Sequence, residues 1–291
     1  MSSYITYEMF GALGNGVADD LPAIVAAHAE ANRLHLLVKA KPGATYYLSP
    51  KGLTATVQTS VDWTGAKFII DDVDCECITA PIFRVASAQQ PLPLDVHTMH
   101  DGQTQLNNPQ GCDLFVIVKN ERHMDYIRKG LNRDNGHTRT DVFVLRADGE
   151  LSSPLSFDFD EITSICAYPI DAERITLTGG EFTTIANQAE SKYNYHSRNI
   201  HIIRSNVEVG GITHFVTGEK DHGAPYIGFV QLENCARVTV RDCTFTAHRI
   251  YDTIGSAGLP VPMGSYDIRA DRTADITSAK IQAFTRAMIP G

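Results

Sequence analysis

Side chains that can hydrogen-bond or stack on a ring concentrate in three stretches of the chain, residues 185–197, 210–228 and 248–266. Their tyrosines include Tyr193, Tyr195, Tyr226 and Tyr251, and their polar residues include His196, His214, Glu219, Asp221, His222, His248 and Arg249. A tyrosine ring is a rigid apolar plate with a polar tip and loses little side-chain entropy on binding, so this composition suits a sugar-binding surface. We take all these residues as candidate carbohydrate-binding residues, although solvated loops with inward-packed tyrosines have the same composition.

Two carboxylates two positions apart in the middle stretch could also perform acid–base chemistry. Glu219 and Asp221 could act on a glycosidic bond, one as the acid and the other as the base or nucleophile. His222 beside Asp221 could instead remove the proton next to a uronic-acid carboxylate in a β-elimination. His248 beside Arg249 offers a base and a cation that neutralises that carboxylate. The candidate catalytic residues are Glu219, Asp221 and His222, with a solvated loop tip as the alternative.

Metal ligands are sparse in the sequence. The acidic run at residues 71–76, DDVDCE, could hold calcium through oxygen ligands, but it lacks the glycine and the spacing of a known calcium loop. The six cysteines show neither paired CxxC units nor a Cys/His cluster with zinc spacing. We therefore expect no metal and no cofactor, with calcium as the one ion left open.

A repeat in the same half of the chain marks the elements that position the three stretches. The segments 173–184, 198–209 and 236–247 align without gaps, and each alternates aliphatic with polar residues, which indicates strands of a repeat architecture. The alignment predicts one interior column of Ile175, Ile200 and Val238 and a second of Leu177, Ile202 and Val240. The spacing of 25 residues from 175 to 200 suits one coil of a parallel β-solenoid. The spacing of 38 residues from 200 to 238 suits a coil with a loop of about 13 residues.

The repeat predicts a single solenoid domain over residues 1–291, with regular coils over 173–284 and an irregular stretch over 71–170. The three polar stretches follow equivalent positions of the aligned coils, so they should emerge on one face. The chain could also be a fragment or a module of a longer protein.

One convincing helix lies near the start of the chain. Asp19 and Asp20 can cap residues 21–32, and Pro22 occupies the first turn. The apolar positions of this segment, among them Ile24, fit a helix that covers an apolar edge. A parallel solenoid needs such a cap, because its open end exposes core side chains and unpaired strand edges.

The N-terminal residues resemble a known family signature. Residues 8–20, EMFGALGNGVADD, followed by Ala23-Ile24 and by residues 41–48, KPGATYYL, are similar to the N-terminal signature of the pectate-lyase-like superfamily. The resemblance covers roughly the first 50 residues. It implies an all-β fold, a right-handed parallel β-helix, and carbohydrate as a partner. Members include lyases, hydrolases, epimerases, phage tail spikes and non-catalytic modules, so the resemblance leaves the activity open.

Two sets of enzyme motifs of that superfamily are missing. The sequence lacks the asparagine-threonine-aspartate strand and the glycine-histidine-glycine turn of polygalacturonases. It also lacks the tryptophan-isoleucine-aspartate-histidine element of calcium pectate lyases. These absences favour a carbohydrate-binding module, one that could be fused to or associated with a catalytic domain. A polysaccharide lyase or glycoside hydrolase and a phage tail-spike module are the alternatives.

The charge balance narrows the partner and the location. A formal net charge of -9 without a Lys/Arg block argues against nucleic acid and anionic membrane surfaces. It favours a neutral plant cell-wall hemicellulose such as xylan over an acidic glycan. No stretch approaches the run of about 20 apolar residues that a membrane span needs. The first 20 residues lack the basic start and apolar core of an export signal, so an extracellular or secreted location is an expectation drawn from the partner.

Overall fold

The computed structural model describes residues 4–127, 136–190, 194–220, 222–246, 250–254 and 259–284. These residues form a right-handed parallel β-helix with an α-helix over its N-terminal end, which confirms the predicted fold class. Each coil after the first passes in turn through three parallel sheets, which we call sheets A, B and C.

The strands fall into two blocks of coils with an inserted sheet between them. The N-terminal coils comprise β1 (Tyr4–Thr6), a 3-10 turn (Tyr7–Phe10), β2 (Asn15–Asp19), α1 (Leu21–Leu34), β3 (Leu37–Lys39), β4 (Thr45–Leu48), β5 (Ala55–Val57), β6 (Val61–Asp62), β7 (Lys67–Asp71) and β8 (Phe83–Ala86). The inserted antiparallel sheet comprises β9 (Leu114–Ile127), β10 (Gly136–Leu145) and β11 (Ser164–Pro169). The C-terminal coils comprise β12 (Ile175–Thr178), β13 (Glu181–Ile185), β14 (Ile200–Ile203), β15 (Val207–Gly210), β16 (Thr213–Thr217), β17 (Val230–Arg241), β18 (Thr244–Thr246), β19 (Ile250–Ile254), β20 (Pro260–Gly264), β21 (Ile268–Ala279) and β22 (Gln282–Phe284).

The parallel ladder stacks each coil on the one before it. Sheet A contains β1, β3, β6, β12, β15 and the second halves of β17 and β21. Sheet B contains β2, β4, β7, β13, β16, β18 and β22. Sheet C contains β5, β8, β14 and the first halves of β17 and β21. Paired strands lie about 4.8 Å apart, so inward residues of successive coils stack into columns and fill one continuous apolar core.

The column assignment drawn from the sequence is wrong for one of its three segments. Ile175 and Val238 share a column of sheet A, but the residue between them is Val207, which pairs with both. Ile200 instead pairs with Val230 in sheet C. The neighbouring column divides in the same way, with Leu177 and Val240 in sheet A and Ile202 in sheet C. The coil therefore repeats after 32 residues (175 to 207) and 31 residues (207 to 238), not 25. Sheets A and C carry the same alternation, so the gapless alignment matched strands of different sheets.

Tight bends carry the chain from sheet C into sheet A. In four coils the bend covers residues 58–60, 204–206, 234–237 and 272–275. Asn206 (φ 62°) and Asn234 (φ 51°) have left-handed backbone conformations there, which asparagine tolerates because its short side chain can hydrogen-bond locally. In the coil that ends with β8, residues 87–174 take the place of this bend and connect β8 to β12.

The inserted residues form a lateral sheet with an apolar core of its own. Strand β9 pairs with both β10 and β11, so its alternate residues face opposite sides of the sheet. Leu114 and Val116 belong to the separate core, whereas Phe115 and Ile117 face the β-helix and pack with Ala236 in a bend. The stretch that shows no clean period in the sequence therefore holds a sheet docked on the corner between sheets C and A.

The residues of the N-terminal signature tie the first two coils together. The Asp20 carboxylate accepts hydrogen bonds from the turn before β2, including one from the backbone N–H of Gly14 at 3.2 Å. Gly14 has a φ of +59°, and a Cβ atom there would lie 2.9 Å from the Cβ atom of Ala44, so only glycine fits this turn. The Tyr46 hydroxyl donates to the Glu8 carboxylate at 2.6 Å, which joins the second coil to the first.

Helix α1 covers the N-terminal end of the core and ends at Leu34 rather than at the predicted residue 32. Its buried face contains Ile24, Ala27, His28 and Ala31, all without exposed surface. The helix thus hides the column ends that the first coil would otherwise leave open. Among the described residues, no helix is long and apolar enough to cross a membrane.

A chain of buried polar groups lies beneath the cap. Trp63 Nε1 donates to the Tyr7 hydroxyl at 2.8 Å, and that hydroxyl lies 3.1 Å from Nε2 of His28. The hydroxyl accepts from the indole and therefore donates its own proton to His28, which accepts only in its neutral form. All three side chains are fully buried, and this burial lowers the pKa of His28 to about 3.

Replacement of Ile24 by aspartate should destabilise the protein by about 2–4 kcal/mol, because the carboxylate would enter the apolar end of the core without a partner. Thermal or urea unfolding measures the loss. Ala29→Asp is the matched control, because Ala29 lies on the exposed side of the same helix. Equal stabilities of the two variants would show that the helix does not seal the core.

His28 should make the protein less stable in acid. The unfolded chain takes up a proton at this residue near pH 6.5, whereas the folded chain does so only near pH 3, so stability falls as the pH drops below about 6.5. The loss from this group between pH 6.5 and 4.5 is about 2 kcal/mol. Urea unfolding of the wild type and of His28→Gln across this range measures it, because glutamine keeps an acceptor for Tyr7 and does not titrate. Parallel curves for the two proteins would contradict the assignment.

Candidate functional site

The loops that connect sheet B to sheet C leave the β-helix at one corner. In the C-terminal coils they cover residues 186–199, 218–229 and 247–267, and we call the described parts of these three loops the loop wall. Backbone hydrogen bonds join successive loops, from the Ile227 N–H to the His196 carbonyl at 3.0 Å and from the Tyr266 N–H to the Tyr226 carbonyl at 2.9 Å. The loops therefore form one continuous surface. The first residues of the middle predicted stretch, 210–217, belong instead to the end of β15, the turn after it and β16.

A fully buried ion pair lies at the base of the loop wall. Arg198 Nε donates to the Asp72 carboxylate at 2.8 Å, and neither side chain is exposed. The two terminal nitrogens of Arg198 donate to the carbonyl oxygens of Ser49 at 2.6 Å and Lys51 at 2.8 Å. One guanidinium thus joins loops of three coils. Burial raises the pKa of Asp72 to about 7 against the opposing charge of Arg198.

Tyr226 and His196 belong to this base rather than to the surface. The Tyr226 hydroxyl accepts a hydrogen bond from the Asn187 backbone N–H at 2.9 Å. The His196 ring packs edge-on against the Tyr226 ring with centroids 6.1 Å apart, and both side chains are buried. Burial, together with the charge of Arg198, lowers the pKa of His196 to about 4. Their burial corrects the expectation that they offer exposed faces to a sugar, because both rings are used in stacking one loop on the next.

His214 lies inside the β-helix. Its register places it between Phe182 and Phe245 in the inward column of sheet B. Its ring stacks on Phe229 with centroids 3.8 Å apart, and its Nε2 lies 3.0 Å from the Thr184 hydroxyl. The expectation of a surface binding residue is corrected here as well, because the alternation of β16 turns this position inward and the flat ring fills a place that phenylalanine occupies in neighbouring coils.

The aromatic surface of the loop wall is formed by Tyr195 and Tyr266. Their ring centroids lie 5.7 Å apart at an interplanar angle of 31°, and Tyr266 is 49% exposed. Two adjacent accessible rings make an apolar plate of the kind on which a sugar ring stacks. The sequence analysis included Tyr195 but missed Tyr266, although the third polar stretch ends on this residue.

The remaining candidates divide between the loop wall and undescribed parts of the chain. Glu219 is half-buried and His222 is exposed, both on the second loop. Tyr251 lies in strand β19. The other candidates lie outside the described residues, namely Tyr193, Asp221, His248 and Arg249. Catalysis by Glu219, Asp221 and His222 stays a prediction.

The acidic run at residues 71–76 is engaged in the protein's own contacts. Asp71 accepts hydrogen bonds from the Tyr47 hydroxyl at 2.5 Å and from the Val73 backbone N–H at 3.0 Å, while Asp72 pairs with Arg198. Across the part of the chain that the structure describes, no group of three or more His, Cys, Asp or Glu side chains could hold a metal ion. The cysteines are free thiols.

Comparison with known proteins places the fold but not the activity. No protein-family model matches the chain, and no curated protein matches it. The tailspike gp61 of Pseudomonas phage phi297 aligns with a TM-score of 0.57 at 10% identity, over 98% of this chain and 50% of that one. The chain therefore spans about half the length of this tailspike, and the likeness shows a shared fold.

Two further solved structures align less closely. The tailspike protein gp49 from Pseudomonas phage LKA1 gives a TM-score of 0.42 at 13% identity, over 95% of this chain and 59% of that one. PfbA, a surface adhesin of Streptococcus pneumoniae, gives 0.44 at 14% identity, over 96% and 48%.

Replacement of Arg198 by alanine should destabilise the protein by about 3–5 kcal/mol, because Asp72 would remain buried without its counter-charge. The double replacement Arg198→Met with Asp72→Leu should recover most of this loss, because no buried charge remains. Denaturant unfolding of Arg198→Met, of Asp72→Leu and of the double variant measures the coupling between the two side chains.

Arg174→Ala is the control for this cycle, because Arg174 is half-exposed and its loss should change the free energy of unfolding by less than about 0.5 kcal/mol. A double variant no more stable than Arg198→Ala would show that the hydrogen bonds to Ser49 and Lys51, rather than the ion pair, hold the loops.

Proposed function

We propose that the protein binds a polysaccharide and that the loop wall is its binding surface. The observation that carries this proposal is the accessible ring pair of Tyr195 and Tyr266, held on a face that the loops of successive coils build together. Adjacent tyrosine rings give a sugar ring an apolar platform at little entropic cost. Glu219 and His222 lie on the intervening loop and can hydrogen-bond to sugar hydroxyls.

The construction of the loop wall favours a chain-like ligand over a small molecule. Successive loops rise by about 4.8 Å per coil along the β-helix axis, so the surface extends in the direction of stacking. The buried pair of Arg198 and Asp72 fixes the loops from below. A ligand then has fewer loop residues to order on binding, which lowers the cost of association.

The net charge orders the ligands to test. A protein with a charge of -9 repels polyanions at long range but not a neutral glycan, so a neutral plant cell-wall hemicellulose such as xylan comes first. An extracellular or secreted location follows from such a ligand, and a catalytic domain fused to or associated with this chain would act on the same glycan.

The likeness to a phage tailspike favours a second hypothesis that shares the same ligand chemistry. The aligned part of that tailspike covers nearly all of this chain, so the protein could be the corresponding part of a phage tail spike. The polysaccharide would then come from a bacterial surface instead of a plant cell wall. A panel that contains both hemicelluloses and bacterial capsular polysaccharides separates the two hypotheses.

Tyr266→Ala should weaken binding of the retained polysaccharide by roughly 1–3 kcal/mol, because the variant loses the exposed half of the stacking plate. Calorimetric titration measures the affinity, and thermal unfolding checks that the fold is intact. Tyr4→Ala is the matched control, because it removes a tyrosine of similar exposure at the N-terminal edge of sheet A. Equal affinities of both variants and the wild type would place the binding surface elsewhere.

The same panel, scored for new reducing or unsaturated ends, separates binding from catalysis. Glu219→Gln keeps the shape of the side chain and removes its charge. In a binding module its affinity should change little, and no products form. In a lyase or hydrolase that uses this carboxylate, turnover should fall by about 10²–10⁴-fold while binding is retained.

A further inference from the structure

A groove separates the inserted sheet from the last coils of the β-helix. It has a volume of about 320 Å³, within the range of small-ligand pockets. Lys119 and Thr140 line it from the inserted sheet, and Asp271 and Arg272 line it from strand β21. The groove lies at the corner between sheets C and A, whereas the loop wall lies at the corner between sheets B and C.

The groove exists because one face of the inserted sheet changes character along its length. Phe115 and Ile117 of β9 face the β-helix and pack with Ala236. Two positions further on, the same face presents Lys119, directly opposite Thr140 of β10. The sheet is therefore sealed to the bends by apolar contacts at one end and leaves a polar gap at the other.

The charged side chains that line the groove are two cations and two carboxylates, and one of the cations has no ion-pair partner among the residues that the structure describes. The Asp125 carboxylate pairs with Arg139 at 2.8 Å, and Arg272 pairs with the Glu233 carboxylate at 2.6 Å and with the Asp271 carboxylate at 3.0 Å. Lys119, by contrast, forms no ion pair with any residue that the structure describes. An ammonium group in a partly enclosed groove attracts an anion more strongly than one in open solvent, because screening by water is reduced.

We propose that this groove binds a carboxylate-bearing sugar residue of the polysaccharide, with the ammonium group of Lys119 contacting the carboxylate. The Thr140 hydroxyl can bond a sugar hydroxyl. The half-buried ring of Phe157 also lines the groove, with the Arg139 guanidinium over it at 5.5 Å from the ring centroid. The carboxylates of Asp125 and Asp271 also line the groove, so a singly charged carboxylate fits it better than a doubly charged phosphate. This inference rests on the proposed polysaccharide binding and adds an acidic residue and a second contact surface to it.

The net charge of -9 does not oppose such a contact. Repulsion from distant carboxylates is screened beyond about 8 Å at physiological ionic strength, whereas the contact with Lys119 acts within that distance. A polysaccharide with scattered acidic residues is repelled little at long range and can still contact Lys119 through one carboxylate. Its neutral units would lie on the loop wall and an acidic unit in the groove.

The test uses oligosaccharides of galacturonate, alginate and hyaluronan, each beside its methyl ester, which keeps the sugar backbone and removes the charge. Calorimetric titration at low and physiological salt gives the affinities. The wild type should bind at least one acid about tenfold more tightly than its ester, and Lys119→Gln should abolish that preference. Lys41→Gln, at an exposed lysine of the N-terminal coils, makes the same change in net charge and should keep it.

Two results overturn the inference while leaving the proposed function intact. In the first, every acid binds as tightly as its ester, while a neutral glycan still binds in a way that depends on Tyr266. The other is an acid preference that Lys119→Gln and Lys41→Gln reduce equally, which would trace it to net charge. Failure of every acidic and neutral glycan to bind would overturn both proposals. Thermal unfolding of each variant confirms that a lost affinity is not a lost fold.

Discussion

Backbone hydrogen bonds between coils, repeated about every 4.8 Å, restrict where this chain can vary. Each strand must keep its register on the strand below, because a shift of one residue would turn an inward side chain outward. The corners between sheets carry no such restriction. The long loops, the tight bends and the inserted sheet all lie at corners, and so do both proposed binding surfaces. The hydrogen-bonded strands thus form a rigid frame, and the corners between sheets carry the residues of the proposed binding surfaces.

Corner loops need anchors of their own, because few ladder hydrogen bonds reach them. Arg198 supplies one anchor by donating hydrogen bonds to Asp72 and to two backbone carbonyls. The hydrogen-bonded side chains of Trp63, Tyr7 and His28 supply another beneath the cap helix. Burial of such groups is costly unless they are hydrogen-bonded, so they persist as connected networks. Their benefit is geometric, since each fixes segments that are distant in sequence.

Features set by neighbouring residues could be predicted from the sequence, and features set by distant ones could not. The cap helix and the alternation of the strands follow from local patterns. The position of Ile200 in sheet C could not be predicted, because strands of sheets A and C show the same alternation of aliphatic and polar residues. The burial of His214 could not be predicted either, because only the strand register shows that it lies in a column of phenylalanines. Lys119 and Arg272 are 153 positions apart (272 minus 119), so no local pattern could join them in one groove.

The inserted sheet also bears on the order in which the chain folds. Strand β6 pairs with β12 across the insertion, and Lys67 forms an ion pair with Glu181, 114 positions away. Contacts between such distant positions carry a loop-closure cost and slow folding. The two ends of the insertion meet, since the Ser87 hydroxyl donates to the Asp171 carboxylate at 3.1 Å. Once the insertion has folded, the two blocks of coils are joined by a connection that is effectively as short as a tight bend. Early folding of the insertion would therefore assist the docking of the two blocks.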